Sequence, residues 1–157
     1  MHKFIMATLV AMALAAQPAI AQKAPPNELD AMRTALKTDK RAYVASSLAL
    51  TPAQAKKFWP IYDTYQRALD TVARARAVTA EQSLNRESDQ ALSNPAAKVF
   101  VSQVLAADEA EMKARRKMYN ASMRALPASK AARYYQLEAK FRAVQAYDIA
   151  QAFPLVN

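Results

Sequence analysis

An all-α fold is what this sequence predicts, and three observations predict it. Glycine is absent from all 157 residues, against an average usage of about 7%. Tight hairpins and phosphate-cradling loops lean on glycine, so a β-rich fold, a P-loop and a Rossmann fingerprint are disfavoured together. Alanine, the best helix former, is abundant. From Glu28 onward the apolar residues return at helical rather than strand spacing. The expectation is about four helices in two helical hairpins, forming a single domain over 28–157. Periodicity leaves two packings open: one compact body, or long hairpins that pair with a second copy.

The first element in the chain reads as an export signal. Lys3 precedes the apolar run "FIMATLVAMALAA", and "QPAIAQ" places Ala19 and Ala21 in the small-x-small pattern of a cleavage site. The run is short of the roughly 20 residues needed to span a bilayer, and no later segment is a transmembrane candidate. Residues 1–21 are therefore expected to be removed, leaving a periplasmic protein that begins at Gln22. Residues 22–27, "QKAPPN", read as a disordered tail. Without Lys3 the chain keeps 21 basic against 13 acidic residues, a net charge of +8. That suits acidic proteins or anionic surfaces, with nucleic acid the least available partner outside the cytoplasm. Cysteine is absent, so the fold must hold without the disulfides that export permits.

A first helix is predicted from Glu28 to about Leu50, on the spacing of Leu29, Met32 and Leu36 and then Tyr43 and Val44. Thr51-Pro52 breaks and restarts the chain, threonine as N-cap and proline at the first helical position. The second helix carries Phe58, Trp59, Tyr62, Tyr65, Leu69 and Val72 along one side. Pro60 lies inside it and should kink it, leaving the carbonyl of Lys56 without its helical partner. The helix fades in a polar run over 80–90. "SNP" at 93–95 starts the third helix, whose Val101, Leu105, Met112, Tyr119, Met123 and Leu126 form the expected core face, interrupted by Asp108 and Arg115. "LPASK" opens the last helix, with Tyr134, Leu137, Phe141 and Val144 inward and Pro154 at its end.

An internal repeat links two of these starts. Shifting the chain by 76 positions pairs Leu50 with Leu126, Phe58 with Tyr134, Trp59 with Tyr135, Ile61 with Leu137 and Tyr65 with Phe141. The first copy, "LTPAQ" at Leu50, Thr51, Pro52, Ala53 and Gln54, resembles the Leu-Thr-x-x-Gln signature of the Spy/CpxP-like periplasmic proteins. The resemblance implies a small exported all-helical protein built around two such motifs and assembled as a cradle-shaped antiparallel dimer. It implies an ATP-independent chaperone, an envelope-stress modulator or a metal-responsive relative. The second copy departs from the signature, reading Leu126-Pro-Ala-Ser-Lys130 with neither Thr nor Gln in place.

Thr51 and Gln54 have the spacing of a capping box, in which each side chain satisfies the other's free backbone N–H. Phe58 and Trp59 are adjacent, so they point about 100° apart on a helix. One member of the pair can fill the core and the other reach a groove or a subunit contact. We assign Phe58 and Tyr134 to the core, and Trp59 and Tyr135 to a client or dimer surface. Lys113, Arg116 and Lys117, beside Arg115, form the densest basic run. They are either a solvated helix face paired with Asp108, Glu109 and Glu111, or a surface that draws in acidic clients.

No catalytic residue, metal ligand or cofactor is expected. The single histidine, His2, lies in the leader, and Met32, Met112, Met118 and Met123 fall at core spacing. The chain thus reads as a non-catalytic binding protein. Its partners would be unfolded or partly folded envelope proteins, or alternatively a single folded sensor domain. No nucleic acid and no membrane span are expected, and self-pairing as a homodimer is.

Overall fold

The computed structural model of the chain describes residues 26–84 and 92–152. Among them are five helices and no strand: α1 Pro26–Lys37, α2 Lys40–Leu48, α3 Pro52–Leu84, α4 Asn94–Ala125 and α5 Ala128–Ala152. The expected leader, its cleavage site and Pro154 lie outside the described residues. No described helix is long and apolar enough to cross a membrane.

The all-α expectation stands, with two local corrections. Helix α1 begins at Pro26, inside the stretch expected to be tail; proline fits a first helical turn because its missing N–H has no partner there. The single helix expected over 28–50 is also two. Thr38 closes α1, its N–H and hydroxyl both donating to the Thr34 carbonyl at 3.0 and 2.9 Å. Asp39 then starts α2, its carboxylate accepting the Ala42 N–H at 2.8 Å. An aspartate N-cap satisfies a donor that a continued helix would have bonded differently, and so favours the break.

Helix α2 ends on Ala49, at φ 43° and ψ 57°. This is the left-handed conformation that normally falls to glycine. Helix α3 then runs through Pro60 without dividing. α3 and α4 pack side by side as a long hairpin, and α5 returns across α1, α2 and α4.

The core gathers Met32, Val44, Leu48, Phe58, Tyr62, Tyr65, Met118, Leu126, Ala131, Tyr134, Leu137 and Phe141. The rings of Phe58 and Tyr134, related by the 76-residue shift, meet edge to face at 4.8 Å. The two copies of the repeat therefore build one core from opposite sides, and burying each large ring contributes about 2–3 kcal/mol.

The largest correction concerns α4. Its expected core face points outward, with Val101 52%, Leu105 55% and Met112 48% exposed. The inward face is Ala107, Glu111, Met118 and Ser122, about 100° round the helix. Small residues at 107 and 122 let α4 lie close on its neighbours. Glu111 can turn inward because cations from two other helices meet it there.

Candidate functional site

The "LTPAQ" residues form the capping box that their spacing predicts. The Thr51 N–H donates to Gln54 Oε1 at 3.1 Å, and the Gln54 N–H donates to Thr51 Oγ1 at 3.3 Å. Pro52 opens α3, and Leu50 packs against the core. Lys130 occupies the position that Gln54 holds in the first copy, and the two meet. Its ammonium donates to Gln54 Oε1 at 3.1 Å and to the Ala49 carbonyl at 2.6 Å. The departure from the signature in the second copy is thus a clamp between the two helix starts. Leu50, Thr51, Pro52 and Gln54 set the start of α3 and its tie to α5.

Phe58 is fully buried and Trp59 half-buried. Part of the Trp59 ring is covered from α2. The Arg41 guanidinium of α2 lies 4.2 Å over its ring, and Arg41 also pairs with Asp63. Tyr62 packs edge-on against the indole at 5.4 Å. Tyr135 is different: it is exposed, and touches only the edge of Tyr119 among the ring contacts, at 5.5 Å.

Tyr135 adjoins the outward stripe of α4. Val101, Leu105, Asp108, Met112, Arg116, Tyr119 and Met123 fall within an arc of about 80° on that helix. Arg116 lies on it and Lys113 beside it, both exposed, while Lys117, also exposed, points about 140° away from Met112. Among the described residues none of the three is paired with a carboxylate. Asp108, Glu109, Met112, Lys113 and Arg116 border an open depression on this face. The structure brings Tyr135, Lys113 and Arg116 to the neighbourhood of one stripe, and leaves Lys117 further round α4 and Trp59 in the aromatic layer under α2.

Two polar clusters, unseen from the sequence, hold this surface in place. Glu111 accepts from Arg76 of α3 at 2.7 Å and faces Arg142 of α5 at 3.8 Å, while Arg76 also binds Asp108 at 2.7 Å. This ties three helices together behind the stripe and fixes the rotation of α4. In the core, Glu138 is 3% exposed and pairs with Lys40 at 2.8 Å. Gln66 completes that cluster, accepting from Lys40 at 3.2 Å and donating to Glu138 at 3.4 Å. A buried charge is tolerated only when paired in this way. The one available signal was position: Glu138 stands four residues after Tyr134 and three before Phe141, on the buried stripe itself.

Three tyrosines surround Glu138. Burial, and then the carboxylate, push the Tyr62 phenol up to about 12. The same two causes raise Tyr65 and Tyr134 further. The Tyr134 hydroxyl is buried without a hydrogen-bond partner among the described residues. Glu138 acts on it as a near charge rather than through a well-shaped bond. These phenols stay neutral at physiological pH, which makes them packing groups and not bases. No cluster of three or more His, Cys, Asp or Glu residues that could hold a metal occurs among the described residues.

No protein-family model matches the chain, and neither a curated protein nor a solved structure matches it.

Proposed function

We propose that this is an exported, non-catalytic binding protein of the periplasm, which holds apolar segments of partly unfolded envelope proteins without ATP. The likeness of "LTPAQ" to the Spy/CpxP-like signature points the same way. The observation that carries the reading is the α4 stripe: Val101, Leu105, Met112 and Met123 are exposed, with Arg116 and Lys113, neither paired with a carboxylate among the described residues, on and beside it. A contiguous apolar surface rimmed by polar groups marks an interaction site. Methionine suits such a surface because its flexible thioether fits many partners. The cations extend the reach of the face, drawing acidic chains in by long-range attraction that salt weakens.

The test is aggregation of a denatured acidic protein diluted into buffer with and without the mature protein. Suppression without nucleotide is the expected result, weaker at high salt. The Leu105→Ser/Met112→Ser variant should lose it while keeping its helicity and melting temperature, since both side chains face solvent. Undiminished suppression by that variant would overturn the assignment to α4. Failure to suppress any aggregation, with tight binding to a single folded domain, would favour the regulatory reading instead.

A further inference from the structure

We infer that Met112 and Met123 form a reversible oxidation site, at which a peroxide turns the apolar α4 stripe polar and makes it release what it holds. This rests on the reading of the stripe as a binding face and adds its control. The chain has no cysteine, so methionine carries all of its sulfur. Past the expected leader the methionines are Met32, Met112, Met118 and Met123, and the fold divides them evenly. Met112 is 48% and Met123 38% exposed, while Met118 is 3% and Met32 0% exposed. Met112 and Met123 stand about 20° apart around α4 and about 17 Å apart along it. Both lie on the stripe among Val101, Leu105 and Tyr119. Met118 points about 120° away from Met112, into the core. One helix therefore presents two sulfurs to solvent on its binding face and withdraws a third.

The step is a two-electron oxygen transfer. A lone pair on the thioether sulfur attacks one oxygen of hydrogen peroxide, and the S–O bond forms as the O–O bond breaks. The proton on the transferred oxygen passes to the departing one, which leaves as water. Sulfur is oxidised to the sulfoxide and the peroxide is reduced. A reductase supplied with a dithiol reverses this, the oxygen leaving as water while the two thiols close to a disulfide. Oxidation makes a flexible apolar side chain polar and chiral. The two sulfoxides fall in the middle and at the C-terminal end of the stripe, so apolar contact is lost there while the core keeps its own. Met112 has a feature that exposure alone does not supply. The Arg115 guanidinium donates an N–H to Met112 Sδ at 3.0 Å. This engages one of the two sulfur lone pairs and leaves the other for the oxidant, so one sulfoxide epimer forms in excess. No hydrogen-bond donor reaches the Met123 sulfur among the described residues, and there the epimers form more evenly. Each sulfoxide reductase acts on one epimer, so the two positions differ in which enzyme repairs them.

The test treats the mature protein with hydrogen peroxide and follows each methionine by peptide mass mapping. Met112 and Met123 should gain oxygen at least about tenfold faster than Met118 and Met32, with helicity unchanged. Once only the first two are oxidised, binding of an apolar fluorescent dye and suppression of client aggregation should both fall severalfold. The two epimer-specific reductases together, with dithiothreitol, should restore them. One reductase alone should clear most of Met112 and leave about half of Met123 oxidised, and Arg115→Leu should remove that difference. Equal epimer ratios at the two positions in the wild-type protein would overturn the part assigned to Arg115. Met112→Leu/Met123→Leu, compared with its own untreated sample, should lose neither dye binding nor suppression on peroxide treatment. Met112→Gln/Met123→Gln should bind dye weakly without any peroxide. If either double variant fails to fold, mapping and dye binding on the wild-type protein still decide. Oxidation of Met118 at the rate of Met112, or dye binding unchanged after both exposed sulfurs are oxidised, would overturn the inference. A protein that suppresses aggregation equally before and after oxidation would sink the switch and spare the holding function. A protein that suppresses nothing before oxidation, yet loses dye binding with peroxide and regains it on reduction, would do the reverse.

Discussion

Ala49 sits in a left-handed conformation in a chain with no glycine at all. For an L-residue with a Cβ that geometry costs about 1–2 kcal/mol, and it persists because the Lys130 ammonium and the helix-closing bond to Ala45 hold the peptide there. Ala49→Gly should remove the strain, offset by the greater freedom glycine has when unfolded. The expected net gain is about 0.5–1 kcal/mol, visible as a rise of a few degrees in a thermal melt. A fall in stability would mean that the αL geometry is not strained. The aromatic doublet gives a second residue-scale test. Phe58→Ala empties a fully buried site and should cost about 3–5 kcal/mol. Trp59→Ala should cost clearly less, because the indole is only partly buried and one of its contacts is the exposed Arg41 guanidinium. Equal losses in denaturant titrations would place both rings in the core on the same footing.

At the level of elements, helix starts were legible because capping is local: Thr51, Pro52 and Gln54 carry the whole geometry of the α3 start within four positions. The break at Asp39 was legible in principle by the same chemistry, but the apolar spacing continues across it and masks the cap. The inward face of α4 was not legible. Glu111 looks like surface in one dimension, and only Arg76 and Arg142, from two other helices, make it a buried residue. The buried Lys40–Glu138 pair obeys the same logic and can be tested. Lys40→Met strands the Glu138 carboxylate in the core and should destabilise by about 3–5 kcal/mol. Lys40→Met with Glu138→Gln leaves a neutral amide facing Gln66 and should recover most of that loss. Urea midpoints measure both; no recovery in the double variant would assign the cost to losing the Lys40 ammonium over the Phe141 ring.

For the whole molecule, the buried phenols set an alkaline limit. Below pH 10, the ordinary value for tyrosine, phenols are neutral in both folded and unfolded chains, so their burial stabilises in full. Above it the unfolded chain releases protons that folded Tyr62 keeps until about 12, and that Tyr65 and Tyr134 keep beyond. Unfolding is therefore favoured progressively from pH 10 upward. Melting temperature should hold below that pH and fall across the window, with phenolate absorbance rising in step with loss of helix. Phenolate appearing at pH 10 in a fully helical protein would contradict the packing around Glu138.

The stacking of Arg41 on the chain's single tryptophan has an optical consequence. Indole emission senses the charge and polarity beside the ring, and here both come from α2 lying on α3. The native fluorescence is therefore a built-in gauge of the α2–α3 seam, whereas the α3–α4 hairpin supplies most of the far-ultraviolet dichroism. Arg41→Ala should shift the emission while leaving the dichroism unchanged. In the wild-type protein, an emission change that precedes loss of dichroism on heating would time the peeling of α1 and α2 from the rest. Coincident transitions would instead show that the seam and the hairpin melt as one.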